Sequence, residues 1–184
     1  MHGIVSRLLD LSRLESGKAK VEFVESDFGQ VIQESVQDLK GIAEQNQTTL
    51  STKGFQNQTV CCDPLMLRQL VTNLASNAIR FSNSDVAICW DKKSIDDQEV
   101  IELRVKDDGP GISQEDQKRL FNKFVQIKRK GDAAYKGTGL GLVICKEIMK
   151  LHHGDIFIES KEGQGATFVC RFPQLHEDNL TQEQ

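Results

Sequence analysis

Apolar residues recur at helical spacing from the start of the chain. Ile4, Leu8, Leu11 and Ser12 fall on one side, and Val5, Leu9 and Leu14 widen the stripe. That period predicts a helix over residues 1–16, with Gly17 as its stop. KVEFVE alternates apolar and polar and predicts a strand. Asp27 is placed to cap a helix over residues 28–46, with Gln30 three positions on as its capping-box partner. TTLST and QTVCC read as short strands separated by the turn-rich KGFQN. Asp63-Pro64 is a helix start, a capping residue followed by proline at the first helical position, and LMLRQLVTNLASNAIRF continues it. DVAICWD and EVIELRVKD are strands, and Ser113, with Asp116 three residues later, caps the short helix SQEDQKRLF. KGTGLGL leads into the helix LVICKEIMKLHH, stopped by Gly154. DIFIES and ATFVCRF form a hairpin across KEGQG, and the polar tail from Gln174 frays. Helices interleaved with returning strands predict an α+β fold: a two-layer sandwich with helices on one face of a mixed, mostly antiparallel sheet.

Composition narrows the function. The chain has 184 residues, 38% hydrophobic and 27% charged, which suits one globular domain with a real core. A net charge of -4 makes no electrostatic case for nucleic acid as a partner. No apolar run approaches the ~20 residues of a membrane span, and the start lacks the basic and apolar regions of a secretory signal. The 5 cysteines include no C-x-x-C pair and read as buried thiols in a reducing compartment. Neither they nor the 4 histidines fall at ligand spacing, so no metal held by side chains alone is expected.

Four stretches carry candidate chemistry. On its helix, Asn73 shares a face with Asn77, and Arg80 lies three residues further on. Asparagine is a poor helix former, so this stripe is either the ordinary wet side of an amphipathic helix or oxygen ligands for a hard cation beside a phosphate-binding cation. In VKDDGPGIS a strand ends at Asp107 and Asp108 before Gly109, Pro110 and Gly111. It is either a simple acidic turn or a fixed carboxylate that accepts from an exocyclic amine, with a flat base against the glycines. After LFNKF, a basic stretch including Lys128, Arg129 and Lys130 is either a solvated charge run or a lid over a polyphosphate. Finally, KGTGLGL fits neither a Walker A loop nor a dinucleotide fingerprint. It does open a helix, where backbone amides and the helix dipole favour an anion, and its glycines permit close approach.

The ordered series N-x-x-x-N-A-x-R, D-x-G-x-G, F-x-x-F and G-T-G-L-G-L resembles the N, G1, F and G2 boxes of the ATP-binding domain of sensor histidine kinases, within the GHKL superfamily of Bergerat-type fold. GQGATF, with Gly163, Gly165 and Thr167, is similar to a later G3-type turn. The resemblance spans residues 20–173, and DLSRLESGK resembles the end of the family's second dimerisation helix. It implies three parts: residues 1–17 from a dimerisation bundle, 18–173 as the catalytic ATP-binding domain, and 174–184 as a flexible tail.

The resemblance also implies residue roles. Asn77 would ligate Mg²⁺, with Asn73 nearby and Arg80 reaching phosphate. Asp107 would read the adenine amino group in a pocket shaped by Gly109, Gly111 and Ile112. Phe124, Lys136, Gly137, Thr138, Gly139, Leu140, Gly141 and Leu142 would frame the phosphates and the hinge of a lid carrying Lys128, Arg129, Lys130 and Tyr135. Thr167 would lie near adenine through water. The implied reaction passes the γ-phosphate of Mg-ATP to a histidine on a dimerisation helix, for relay to an aspartate of a response regulator receiver domain. The implied setting is the cytoplasm, as part of a homodimer, with anchoring of the parent protein left open. Two departures stand out. No stretch matches the acceptor motif H-E-[L/I/V]-R-[T/N]-P: His2, His152 and His153 lie in other contexts. Gln126 takes the place where many members carry arginine after the F box. Gyrase-like and MutL-like relatives use a Glu near the position of Asn73 to activate water, and an amide cannot take that proton. A serine-directed kinase and a degenerate docking module are the remaining readings.

Overall fold

The computed structural model describes residues 2–17, 19–127 and 137–174. Among these described residues twelve elements follow in order: α1 (His2–Glu15), β1 (Val24–Asp27), α2 (Phe28–Gln45), β2 (Thr49–Gly54), β3 (Thr59–Cys62), α3 (Pro64–Phe81), β4 (Asp85–Ile95), β5 (Gln98–Asp107), α4 (Gln114–Arg119), α5 (Gly141–Leu151), β6 (Asp155–Ser160) and β7 (Ala166–Pro173). Five strands form one sheet in the order β2-β4-β5-β7-β6. β2 runs parallel to β4, and the remaining pairs are antiparallel. β1 and β3 pair antiparallel in a separate two-stranded ribbon. The sheet is therefore mixed and mostly antiparallel, with α2, α3 and α5 packed on one face.

The core forms where the alternating faces of the strands meet the helical stripes. Leu67, Leu70, Val71 and Leu74 of α3 are fully buried, as are Ile88, Ile101, Leu103 and Val105 of the sheet. Trp90 is buried too, and its indole N–H donates to the Phe55 carbonyl at 2.8 Å, so the ring brings no unpaired donor inside. No disulfide joins the five cysteines. Cys62, Cys145 and Cys170 are buried among apolar side chains, and Cys61 and Cys89 are half-exposed. No helix among the described residues is long and apolar enough to cross a membrane.

The helix starts follow their sequence signals with one exception. Asp63 Oδ1 accepts from the N–H groups of Leu65 and Met66, both at 3.0 Å, ahead of Pro64. Ser113 and Asp116 exchange bonds at 3.0 and 3.1 Å. Asp27 accepts from the Gln30 N–H at 3.0 Å, but the Gln30 side chain turns forward to Glu34 at 2.9 Å. The expected capping box is thus half formed, because Gln30 finds its partner one helical turn along.

Two element ends and one strand pairing also differ from the pattern. The strand expected in KVEFVE starts only at Val24 and runs to Asp27. The Glu22 N–H is taken by Asp63 Oδ2 at 3.0 Å, and Phe23 packs on the rings of His152 and His153, so neither joins a ladder. β2 and β3, adjacent in sequence, enter different sheets. α5 ends at Leu151, and the left-handed residue that terminates it is His153 (φ 55), one before Gly154. The opposite face of the large sheet carries charge. Buried Glu102 is met by Lys93 at 2.5 Å, Arg171 at 3.0 Å and Arg104 at 3.2 Å. Burial alone would raise its pKa; those three cations outweigh it and hold the carboxyl at about 2.

Candidate functional site

A cleft of about 310 Å³ opens between α3, the β5 end, the loop into α5 and Arg7 of α1. That volume lies at the lower end for small-molecule sites. Thr72, Asn73, Ser76, Asn77 and Arg80 line one wall from α3, at the three-and-four spacing of one helical face. The Arg80 guanidinium lies 5.7 Å from the Phe81 ring centroid. No carboxylate occurs on this wall.

Asp107 supplies the carboxylate of the cleft. It ends β5 and is 5% exposed. Its Oδ1 accepts from the Gly109 N–H at 2.9 Å and the Ala166 N–H at 3.2 Å, so two backbone amides set its orientation. Gly165 permits the second bond. Its φ is 75, and a Cβ there would stand 2.1 Å from the Asp107 carbonyl. Asp108 faces away and does a different job. It accepts from the N–H groups of Asn83, Ser84 and Asp85 and from the Ser84 hydroxyl. Burial would raise the Asp108 carboxyl; these donors hold it at about 2.

The loop into α5 forms another wall of the cleft. α2, α3 and α4 each have a side-chain cap, whereas α5 begins at Gly141 with none. Gly141 and Leu142 line the cleft, and no side chain caps this helix start. Gly139 holds the loop in place: its φ is 68, and a Cβ would meet the Phe124 backbone at 2.8 Å. Around it the Phe124 N–H donates to the Gly139 carbonyl at 3.0 Å, and the Gln126 amide to the Gly137 carbonyl at 2.5 Å. Thr138 Oγ1 accepts from the Leu140 N–H at 3.3 Å.

Most of the residues expected in the site converge on this cleft. Asn73, Asn77, Arg80, Asp107, Gly111, Ile112, Gly137, Thr138, Gly139, Gly141 and Leu142 all line it. Four do not. Gly109 sits behind the wall, where a Cβ would strike the Phe81 carbonyl at 2.3 Å. Leu140 is fully buried in the core. Phe124 takes a left-handed backbone (φ 62) that leaves its ring 61% exposed, so its backbone serves the loop and its side chain lies outside the cleft. Thr167 is a correction of register. The pleat of β7 sends Ala166 and Phe168 to the cleft and Thr167 to the opposite face, beside Lys106, Arg104 and Glu159. Lys128, Arg129, Lys130, Tyr135 and Lys136 lie outside the described residues.

Ser76, Ala166 and Arg7 were missed by sequence reasoning. Ser76 was legible from the 73, 76, 77, 80 spacing, and Ala166 from the strand period. Arg7 carries no local signal, since it reaches the cleft only through tertiary packing of α1. His152 and His153 do not line the cleft.

A family profile described as histidine kinase-, DNA gyrase B- and HSP90-like ATPase matches residues 62–176. The chain belongs to this ATPase family. Within it, the domain is similar to the signal transduction histidine-protein kinase BarA of Escherichia coli (strain K12). Identity is 36% over 169 residues, covering 90% of this chain and 18% of that protein. The sensor protein EvgS of the same organism is 33% identical over 175 residues, covering 93% of this chain and 14% of EvgS. The chain thus spans less than a fifth of either relative. Among solved structures, the catalytic domain of histidine kinase ThkA superposes with a TM-score of 0.70 at 25% identity, covering 83% of this chain and 96% of that one. The matched segment begins at the end of β3, includes α3, β5, α5 and β7, and holds every lining residue of the cleft except Arg7.

Proposed function

We propose that this chain is the catalytic ATP-binding domain of a two-component sensor histidine kinase, which presents the γ-phosphate of Mg-ATP to a histidine on a dimerisation helix. The observation that carries the reading is Asp107, a buried carboxylate fixed by two backbone amides at one wall of a cleft whose other wall is the uncapped start of α5. A carboxylate so held selects a base with an exocyclic amine, and unengaged amides at a helix start select phosphate. The names of the relatives BarA and ThkA, both histidine kinases, support the same reading.

The cleft fits Mg²⁺ bound chiefly through phosphates and water. Its α3 wall offers the neutral amide oxygens of Asn73 and Asn77 and no carboxylate cage, the donor set of a cation that arrives with its nucleotide. Asn77 would hold the ion, which neutralises charge on the phosphates when bound. Arg80 binds a phosphate oxygen, and the amides after Gly139 cradle the chain of phosphates. No side chain on the α3 wall can take a proton from water, since position 73 is an amide. The domain therefore positions ATP for a nucleophile brought from outside the cleft. His152 and His153 are not that nucleophile: His152 is 2% exposed, and His153 stacks on Phe23 away from the cleft. The acceptor histidine, the homodimer, the receiver-domain aspartate and the cytoplasmic setting complete the proposal.

Titration calorimetry tests it. Wild-type chain should bind ATP with a Mg²⁺-dependent affinity. Asn77→Ala should weaken Mg-ATP far more than metal-free ATP, and Asp107→Asn should weaken both by about 1–3 kcal/mol. Unchanged binding by Asp107→Asn would remove the adenine assignment, and no binding by wild type would favour a docking module.

A further inference from the structure

The first helix is seated on the catalytic domain and places a cation in its cleft. Leu11, 2% exposed, and Leu14, 8% exposed, belong to the same buried cluster as Val143 and Ile144 of α5. Glu15 pairs with Lys123 at 2.7 Å at the far end of α1. Arg7 lies one turn before Leu11 on the same face, and its long side chain reaches the loop that leads into α5. It lines the cleft, and Nη1 donates to Thr138 Oγ1 at 3.4 Å. Thr138 belongs to the loop that leads into the uncapped α5 start.

We propose that Arg7 is a phosphate-recognition residue of the nucleotide site, contributed by α1, and that seating of α1 on α5 and binding of ATP reinforce each other. The proposal rests on the nucleotide reading above and extends it. Arg7 makes no ion pair among the described residues. One long bond to a hydroxyl leaves most of a guanidinium's five donors unspent, and its planar fork matches a phosphate. The base-selecting Asp107 lies between β5 and β7, while Thr138 lies between α1 and α5, so Arg7 stands by the phosphate wall and not by the base. Coupling is reciprocal: whatever factor a seated α1 adds to ATP affinity, ATP adds to the seating of α1. Any movement that lifts α1 from α5 withdraws Arg7 and weakens the hold on the terminal phosphate.

The test compares ATP, ADP and adenosine, each with Mg²⁺, on the wild-type chain, Arg7→Ala, Arg7→Lys and Asp107→Asn. Arg7 is exposed, so both of its variants should melt like wild type without nucleotide. Arg7→Ala should lose roughly tenfold or more in ATP affinity, as expected for a charged hydrogen bond, less for ADP, and nothing for adenosine. Arg7→Lys should fall between. Hydrogen exchange of the α1 amides should slow with ATP in wild type and not in Arg7→Ala. Equal ATP binding by wild type and Arg7→Ala overturns the proposal. So does an equal loss for all three ligands, and so does tighter binding, which would make Arg7 a plug. A wild-type chain that binds none of the ligands instead removes the nucleotide reading itself, and Asp107→Asn reports on that reading independently of Arg7.

Discussion

Two of the three glycines of KGTGLGL, Gly139 and Gly141, serve different ends, and single substitutions separate them. Gly139 is demanded by the protein itself, through its positive φ and the Phe124 backbone beside it. Gly141 is not: the nearest atom to a Cβ there is Asn73 Oδ1 at 3.7 Å, an ordinary contact. Gly139→Ala should therefore cost about 1–3 kcal/mol in urea unfolding, through strain in a crowded turn. Gly141→Ala should leave unfolding unchanged or slightly improved, yet weaken ATP if phosphate approaches those amides closely. Loss of stability in both, or wild-type ATP affinity in Gly141→Ala, would contradict this division. The sequence exposed the glycine run but not the division of labour, because φ and close approach are set by chain segments far away. The neighbours Asp107 and Asp108 teach the same lesson. Both were legible as carboxylates at a strand end, and only the pleat shows that one faces the cleft and the other ties down the β4 entry.

At the scale of elements, His152 links the end of α5 to the start of α3. Its Nδ1 lies 2.9 Å from the Ile148 carbonyl, and its Nε2 accepts from the Asp63 N–H at 3.1 Å. The ring is therefore neutral, with its proton on Nδ1. Burial pushes its pKa below the ordinary value, against the weaker pulls of the Ile148 carbonyl and Asp63. In the window below about 6.5 the unfolded chain takes up a proton that the folded ring resists. The stability this neutral ring contributes is complete above that value and falls as pH drops toward the depressed folded pKa. Urea unfolding between pH 8 and 5.5 (roughly the histidine range) should show this fall, and His152→Gln should flatten it. An unchanged slope would show that other groups set the pH dependence. The helices themselves were legible because their caps are local, as at Asp27, Asp63 and Ser113. The strands were legible in existence but not in partnership. The parallel pairing of β2 with β4, and the departure of β3 into a second sheet, join residues distant in sequence, which no local pattern encodes.

At the scale of the molecule, six separate segments build one cleft. Five of them announce themselves in order along the sequence, as polar or glycine-rich interruptions of otherwise regular elements. The sixth, α1, reads from sequence as a helix with an apolar stripe and no mate. The structure divides that stripe: Leu11 and Leu14 turn inward, while Val5, Leu8 and Leu9 remain exposed. Arg7 enters the cleft because of that division. Thr167 leaves it for a similar reason, since a one-residue step along a strand changes the face it serves.

The buried thiols give this assembly an internal clock. Burial raises the Cys62 thiol to about 12 and lifts those of Cys145 and Cys170 as well, so none offers appreciable thiolate near neutrality. Cys145 sits on α5, its sulfur 3.9 Å from the Leu70 carbonyl of α3, between the two helices that carry the cleft's walls. A maleimide reagent should modify half-exposed Cys61 and Cys89 promptly and reach Cys145 and Cys170 only when those helices part. A ligand at 100 times its dissociation constant stabilises the closed form by about 2.7 kcal/mol, so saturating ATP should slow the late pair roughly a hundredfold and leave the early pair untouched. Peptide mapping of timed samples reads both rates from one reaction. Prompt modification of Cys145, or late labelling indifferent to ATP, would mean that α3 and α5 separate without consulting the nucleotide.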